Sequence, residues 1–198
     1  MSLPLQHDKR DVLRTFLALE LPFETKRALA DYVAPLRTVE PGVSWTKAEN
    51  FHLTLKFLGD TTPAQAASLA QAVPRVCANF APITVAISGF GVFPNERRPR
   101  VLWLGLQEDT GKLHELAQQL ELACRTLGFA KAEQAFTAHL TLGRVKSGNA
   151  AAALRMLRAS PFAAQHFAFR ECTHMQSVLH RAGSIYTPLH RFPLGAAL

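Results

Sequence analysis

Apolar residues along the chain follow two different spacings. Alternation of apolar and polar positions predicts strands in the ranges 14–20, 50–58, 83–88, 101–106, 136–145, 167–170, 175–180 and 184–193. Stripes at three- and four-residue intervals predict helices, one from Pro22 that is broken at Pro41-Gly42, and others in the ranges 63–79, 110–127 and 150–158. Many of the strands are joined by short loops instead of helices. The pattern therefore predicts an α+β fold, in which mostly antiparallel sheets carry helices on one face.

Composition narrows the class of protein. The 198 residues are 48% hydrophobic and 19% charged, which is enough apolar sequence for a core and unlike a disordered chain. No apolar run approaches the roughly 20 residues of a membrane-spanning helix. The segment Met1–Asp11 lacks the apolar stretch of a secretory signal. We therefore expect a cytoplasmic protein with no membrane partner.

Cysteines and histidines give no sign of a metal centre. The three cysteines are far apart and include no CxxC pair, and no two histidines have the HExxH spacing. We therefore expect no metal, no other cofactor and no disulfide framework.

The balance of charge favours an anionic partner. The formal net charge is +7, which suits RNA, a nucleotide or a phosphate, although a merely basic, soluble surface is equally compatible. The densest basic cluster comprises Arg97, Arg98 and Arg100, just before a predicted strand. We expect this cluster to lie in a loop or a hairpin arm.

One tetrapeptide occurs twice. His52-Leu53-Thr54-Leu55 recurs 87 positions later as His139-Leu140-Thr141-Leu142. Because successive side chains of a strand point to opposite faces, the leucines of each copy are expected in the core, and the histidine and threonine on a polar face. The same alternation places Phe57 in the core and Lys56 on the polar face, and Arg144 follows just beyond the second copy.

Two histidines and two threonines on adjacent polar faces suit the opening of a cyclic phosphodiester. That reaction needs a base to deprotonate water and an acid to protonate the leaving oxygen, and unperturbed histidine titrates near pH 6.5. Threonine hydroxyls and an arginine can hold the phosphoryl oxygens without a metal. Ordinary histidines of a half-exposed sheet are the alternative, but two of them in matched tetrapeptides favour the functional interpretation.

The paired His-x-Thr-Leu motifs resemble those of the 2H phosphoesterase superfamily, and more closely those of the bacterial and archaeal RNA 2′,3′-cyclic phosphodiesterases, historically called 2′-5′ RNA ligases. The resemblance covers most of the chain, in the segments Arg14–Pro22, Asn50–Gly59, Arg100–Gly105, His139–Arg144 and Tyr186–Leu189. It implies that residues 1–198 form a single bilobal α+β domain. Two mostly antiparallel sheets would be related by pseudo-twofold symmetry around a central cleft, with the helices outside.

The resemblance also implies an activity. Such enzymes hydrolyse a terminal 2′,3′-cyclic phosphate on RNA to a 2′-phosphomonoester without a metal, and some join tRNA halves reversibly by a 2′-5′ bond. By this analogy His52 is the general acid and His139 the general base, although the two roles could be exchanged. Thr54 and Thr141 would hold the phosphate, with Arg144 assisting.

Four further residues are candidate substrate contacts. Lys56 either contacts the phosphate or is simply solvated, because its counterpart in the second copy is Gly143. Arg98, Arg100 and Tyr186 would hold the RNA chain or stack on a base, with surface solvation as the alternative for each.

Two other functions are compatible with the same residues. A 2H phosphodiesterase could act on a small cyclic nucleotide or on an ADP-ribose cyclic phosphate, and a noncatalytic module could bind RNA or a nucleotide. The presence of both histidines argues against a binding module, because binding alone does not need an acid and a base. We expect a monomer, since a single cleft between two lobes needs no second copy.

Overall fold

The computed structural model describes residues 12–180 and 183–195, which form nine strands and four α-helices. The helices are α1 (Phe23–Val39), α2 (Pro63–Cys77), α3 (Lys112–Thr126) and α4 (Ala151–Ala159). The strands are β1 (Leu13–Glu20), β2 (Val43–Trp45), β3 (His52–Thr61), β4 (Ile83–Phe93), β5 (Val101–Gln107), β6 (His139–Val145), β7 (His166–Phe169), β8 (Glu171–His180) and β9 (Gly183–Pro193). None of the described helices has the length and apolar character needed to cross a membrane. The segment Met1–Asp11, for which no secretory signal is predicted, lies outside the described residues.

The strands form one antiparallel sheet with two related halves. The first half has the order β9-β8-β1-β3, and the second has the order β6-β5-β4-β7, with β2 paired to β6. A single residue pair, Leu53 with Leu140, joins β3 to β6 at the centre. The predicted α+β fold with mostly antiparallel strands is therefore confirmed, and its two expected sheets are the two halves of one sheet.

All four helices cover the same face of the sheet. Each contributes fully buried side chains, such as Leu29 of α1 and Leu116 of α3, to one core that includes Leu53 and Leu140. In α3 the buried residues follow the predicted stripe, because they recur at three- and four-residue intervals. The opposite face, which carries His52, Thr54, His139 and Thr141, is not covered by any of these four α-helices, and we call it the open face.

Each motif strand contains a β-bulge directly after its threonine. In β3 the bulge is Leu55-Lys56, and in β6 it is Leu142-Gly143, each pair lying opposite one residue of the neighbouring strand. A bulge adds one residue to a strand, so the alternation of faces changes phase beyond it. Phe57 and Arg144 therefore turn towards the open face.

This change of phase makes two expectations from the sequence wrong. Lys56, expected on the polar face, has a side chain only 3% exposed; its ammonium lies 2.7 Å from the Glu121 carboxylate and donates to the Ala130 carbonyl at 2.6 Å. Phe57, expected in the core, is 65% exposed. Lys56 is thus on the helix-covered side and cannot serve as the phosphate contact proposed for it.

The position that matches Lys56 in the second half has no room for a side chain. A Cβ atom on Gly143 would lie 2.6 Å from Val43 and 3.0 Å from Trp45, both in β2. The close approach of β2 therefore requires glycine at this position. In the first half the equivalent space is filled by the Lys56 side chain, which reaches α3.

Lys56→Met should lower the free energy of unfolding by about 3 kcal/mol, because it leaves the Glu121 carboxylate without its ammonium partner. Glu121 is 22% exposed, so the loss belongs at the low end of the range for buried pairs. Urea denaturation measures it. The matched control is Lys112→Met, which removes the exposed pair with Glu115 and should cost less than about 1 kcal/mol. Equal losses in the two variants would contradict a structural role for the buried pair.

Candidate active site

A cleft opens on the open face where β3 and β6 diverge. Its volume is about 600 Å³, and it is lined by the polar residues of both motifs, His52, Thr54, His139 and Thr141, together with Arg144. Because only one residue pair joins the two strands, they separate on either side of it and leave room for a ligand. The structure thus brings together the two copies of the motif, which are 87 positions apart in the sequence, and Arg144 beside them.

The antiparallel register of β3 and β6 places the histidine of each motif opposite the threonine of the other. Leu53 lies opposite Leu140 in an antiparallel pair. Continuing that register by one residue in each direction places His52 opposite Thr141, and Thr54 opposite His139. Each imidazole therefore lies across from the hydroxyl of the other motif, and the four groups surround one space between the strands.

Both histidines are held in the same tautomer by the backbone. Nδ1 of His52 lies 2.8 Å from the carbonyl oxygen of Asn50, and Nδ1 of His139 lies 2.8 Å from that of Thr137. A carbonyl oxygen only accepts hydrogen bonds, so Nδ1 carries the proton and donates it in each ring. In the neutral ring Nε2 then carries a lone pair, and that of His52 lies 3.1 Å from the Thr54 hydroxyl. Each Nε2 can accept a proton or, once protonated, deliver one.

Aromatic rings fix the orientation of each imidazole. His52 packs against Phe16, with 4.9 Å between ring centroids, and meets Tyr186 edge-on at 5.1 Å. His139 meets Phe93 edge-on at 5.1 Å and lies 6.0 Å from Trp103. The two imidazoles are therefore enclosed by apolar walls on separate halves of the sheet.

Burial in these walls disfavours the charged form of both rings. It lowers the pKa of His52 to about 4, with the Lys26 charge acting in the same direction, while Glu20 opposes it. Burial also lowers the pKa of His139, and the Arg144 guanidinium adds to this effect. Both histidines are therefore neutral near pH 7 in the empty cleft, and a bound anion would favour their protonation.

The two halves of the cleft differ just beyond the bulges. Phe57 and Arg144 are 87 positions apart, occupy the same place after the two bulges and both line the cleft. At this pair of equivalent positions, the first half therefore has an exposed aromatic ring and the second half has a cation. Strand alternation did not predict that Phe57 lines the cleft. The 87-residue offset between the motifs aligns Phe57 with Arg144, and this signal in the sequence could have predicted it.

Other predicted contacts divide into two groups. Tyr186 lines the cleft beside His52. Arg98 and Arg100 are exposed in the loop between β4 and β5, and neither is among the described residues that line the cleft. Their candidate role therefore lies outside the cleft itself.

One wall of the cleft was not predicted. It comes from β2 and the short 3₁₀ helix at Ala48–Asn50, which place Trp45, Thr46, Lys47 and Asn50 at the cleft. The Thr46 hydroxyl donates to the carbonyl of Thr141 at 2.8 Å, which fixes this wall to the second motif. No repeat or periodicity marks this segment. Within the described residues, no three histidine, cysteine, aspartate or glutamate side chains cluster as metal ligands.

Comparisons with known proteins identify similar chains. A family model described as LigT like phosphoesterase matches twice, over residues 19–103 and 104–186. The chain is 33% identical over 183 residues to the RNA 2′,3′-cyclic phosphodiesterase of Geobacillus stearothermophilus, covering 90% of this chain and 56% of that one. It is 33% identical over 183 residues to that of Archaeoglobus fulgidus, covering 91% of this chain and 99% of that one. The crystal structure of Escherichia coli LigT complexed with 3′-AMP is similar with a TM-score of 0.72 and 25% identity, covering 93% of this chain and 99% of that one.

A nucleoside 2′-phosphate should raise the pKa of both cleft histidines. Without ligand, His52 is expected to titrate near pH 4; the bound anion should raise its pKa, and that of His139, because it stabilises the imidazolium. Histidine-ring ¹H–¹⁵N NMR spectra recorded against pH measure this. The ring signals of His114, exposed on α3 outside the cleft, serve as the control and should not respond to the ligand. Titration of His52 at pH 6.5 without ligand, or no response to saturating ligand, would contradict the proposed environment.

Proposed function

We propose that this chain, which belongs to the LigT-like phosphoesterase family, hydrolyses a terminal 2′,3′-cyclic phosphate on RNA to a 2′-phosphomonoester. The observation that carries the proposal is the pair of histidines, each with Nδ1 bound to a backbone carbonyl and Nε2 left for proton transfer in one shared cleft. The activity named for the similar proteins of Geobacillus and Archaeoglobus supports the same reaction.

His139 suits the role of general base. Its Nε2 lone pair takes a proton from water, whose oxygen attacks the phosphorus atom. Burial lowers the pKa of His139 and the Arg144 guanidinium adds to the effect, so the free protein holds His139 in the neutral form that a base requires.

His52 then acts as the general acid. As the bond from phosphorus to O3′ breaks, its Nε2 proton moves to O3′, which leaves as a hydroxyl while the phosphate stays on O2′. The low pKa of His52 in the empty cleft means that this proton is taken up only with the anionic substrate in place. After product release His139 loses its proton to solvent, which restores the starting state.

Three side chains can donate hydrogen bonds to the phosphate. Thr54 of β3 and Thr141 of β6 present hydroxyl donors from the two facing strands. Arg144 supplies a charged, bidentate donor at one end of the cleft. These donors can follow the charge that moves onto the phosphoryl oxygens in the transition state. A 5′-hydroxyl in place of water would form a 2′-5′ bond through the same groups.

Phe57 provides a surface for the nucleobase of the terminal nucleotide. It is the exposed aromatic ring that occupies, in the first half, the position equivalent to Arg144, and its ring centroid lies 6.1 Å from that of Phe16. Every base can stack on such a ring, so this contact adds affinity without selecting a sequence. The cleft lies within one chain, so we expect a monomer to be active.

His52→Ala and His139→Ala should each lower kcat/KM by about 10²–10⁴-fold on a short RNA with a 2′,3′-cyclic phosphate end, since each removes one proton-transfer group. The assay, run in EDTA, follows formation of the 2′-phosphate terminus. His114→Ala, outside the cleft, is the control and should keep wild-type activity. Absence of turnover by the wild type would refute the proposed reaction, and the smaller cyclic nucleotides would be tested next.

An activated substrate separates the acid from the base. In a nucleoside 2′-(p-nitrophenyl phosphate), the nitrophenolate leaves without a proton, so a general acid contributes little. His52→Ala should then lose much less activity than on the cyclic phosphate, while His139→Ala should lose as much on both. The opposite result would exchange the two roles.

Phe57→Leu should lower the ratio of kcat/KM for adenosine 2′,3′-cyclic phosphate to that for the base-free methyl riboside 2′,3′-cyclic phosphate by about tenfold. The variant keeps an apolar side chain but removes the ring on which the base stacks. Steady-state kinetics measure the ratio. Phe23→Leu is the matched control, because Phe23 is 74% exposed on α1 and lies outside the cleft. An unchanged ratio would show that the base binds elsewhere.

A further inference from the structure

The loop between β4 and β5 presents three arginines to solvent. Arg97, Arg98 and Arg100 are all exposed, and within residues 12–180 and 183–195 none of their guanidinium groups forms an ion pair. The loop is held by Asn95, whose side-chain oxygen accepts hydrogen bonds from the backbone of Arg97 at 3.1 Å and of Arg98 at 3.2 Å. The arginine side chains are therefore not needed for the shape of the loop.

This loop is continuous with a wider basic surface. Glu96 forms an ion pair with Arg158 of α4, and the backbone of Val145 donates to the carbonyl of Arg100 at 3.0 Å. The loop, α4 and the end of β6 are thus in contact. We call the exposed cations of this surface the basic rim, and its members are Arg97, Arg98, Arg100, Lys146, Arg155 and Arg158.

The basic rim begins at the edge of the cleft. The loop ends at Val101, which lines the cleft opposite Arg144 in the β5–β6 pairing, and it starts at Phe93, which packs against His139. A chain bound at Arg144 could therefore continue directly onto the rim.

Almost all of the excess charge of the protein lies here. The ranges 94–100 and 144–160 contain seven cations, which are the six of the basic rim and Arg144, and one acid. Their net charge is +6, against +7 for the whole chain. Glu96, the one acid, is already paired with Arg158. Nearby, the carboxylate of Glu40 accepts a hydrogen bond from the backbone of Ala152.

The first half of the sheet has no comparable excess. Arg14 lies opposite Asp60 in the β1–β3 pairing, and Glu20 pairs with both Lys26 and Arg191. Among the described residues on that side, Lys26 and Arg191 are paired with Glu20, whereas Arg14 and Lys47 line the cleft without an ion pair. A polyanion leaving the cleft therefore meets the larger excess of positive charge on the side of the basic rim.

We propose that the basic rim binds the ribose-phosphate backbone that precedes the cyclic-phosphate nucleotide, so that the chain prefers the ends of RNA strands to free cyclic nucleotides. This inference rests on the proposed function, since it takes the RNA end to be the ligand of the cleft. The rim carries cations without exposed aromatic residues, which suits sequence-independent contact with phosphates.

The test compares substrates of different length. Arg97→Gln/Arg98→Gln/Arg100→Gln should lower the ratio of kcat/KM for a decanucleotide 2′,3′-cyclic phosphate to that for cytidine 2′,3′-cyclic phosphate by about tenfold, because it removes three cations that contact phosphates only in the longer substrate. The slope of log kcat/KM for the decanucleotide against log salt should also become less steep by about 2. An unchanged ratio would overturn the proposal.

A charge-matched control excludes a general effect of net charge. Arg75→Gln/Arg125→Gln/Arg170→Gln removes the same charge from exposed positions outside the cleft and the basic rim, and it should leave the ratio unchanged. An equal decrease in this variant would show that the overall charge, and not the rim, attracts the RNA.

A binding measurement keeps this inference separate from the proposed reaction. Fluorescence anisotropy with a labelled decanucleotide that ends in a 2′-phosphate reports affinity without turnover. The rim variant should bind about tenfold more weakly than the wild type and the control variant. If the wild type fails to hydrolyse the cyclic phosphate, the proposed function fails, and this binding comparison still decides whether RNA lies on the rim.

Discussion

The architecture of the cleft depends on the single contact that joins β3 to β6. Leu53 and Leu140 are fully buried under the helices, so the two motif strands are held together from the helix-covered side. On either side of this pair the strands separate, and the sheet makes no further hydrogen-bonded pair between them. More hydrogen-bonded pairs between β3 and β6 would close the cleft. With no such pair, the positions of the two histidines relative to each other would not be fixed by the sheet. One pair satisfies both demands, because it fixes the register while leaving the space open.

The β-bulges in β3 and β6 determine which side chains lie around the cleft. Each adds a residue immediately after the threonine, so the residues that follow change faces. In the first half this buries Lys56, whose ion pair with Glu121 fastens β3 to α3 and to the segment that leads to the second motif. In the second half the same position must be Gly143, since β2 lies against it. The bulges thus give the two halves different supports while keeping their histidines equivalent.

Sequence patterns predicted those features that depend on unbroken periodicity. The stripe of α3 and the leucines of both tetrapeptides lie in the core as expected, because a regular helix or strand repeats its faces. Patterns failed where backbone geometry interrupts the period. Alternation gave the wrong face for Lys56 and Phe57, since a bulge is not visible in hydrophobicity. Likewise, the strand predicted over residues 83–88 continues to Phe93 past a bulge at Gly89, and Gly91 leaves the space that the Trp103 ring needs. The three-residue strand β2 is too short to show any period.

The pseudo-symmetry of the cleft leaves the orientation of the substrate undetermined by the two motifs alone. Two equivalent His-x-Thr motifs could bind a cyclic phosphate in either of two orientations, and each histidine would then act as acid in one and base in the other. A stacked base is worth about 1–3 kcal/mol, and Phe57 is the most exposed of the aromatic residues that line the described cleft. Arg144 offers a charged donor in the second half, and the excess positive charge of the chain extends from there. In the proposed mechanism these two contacts would act in the same direction and favour one orientation. In the proposed mechanism, the residues that would give the two histidines distinct roles therefore lie outside the repeated tetrapeptide, at the positions where the two halves differ.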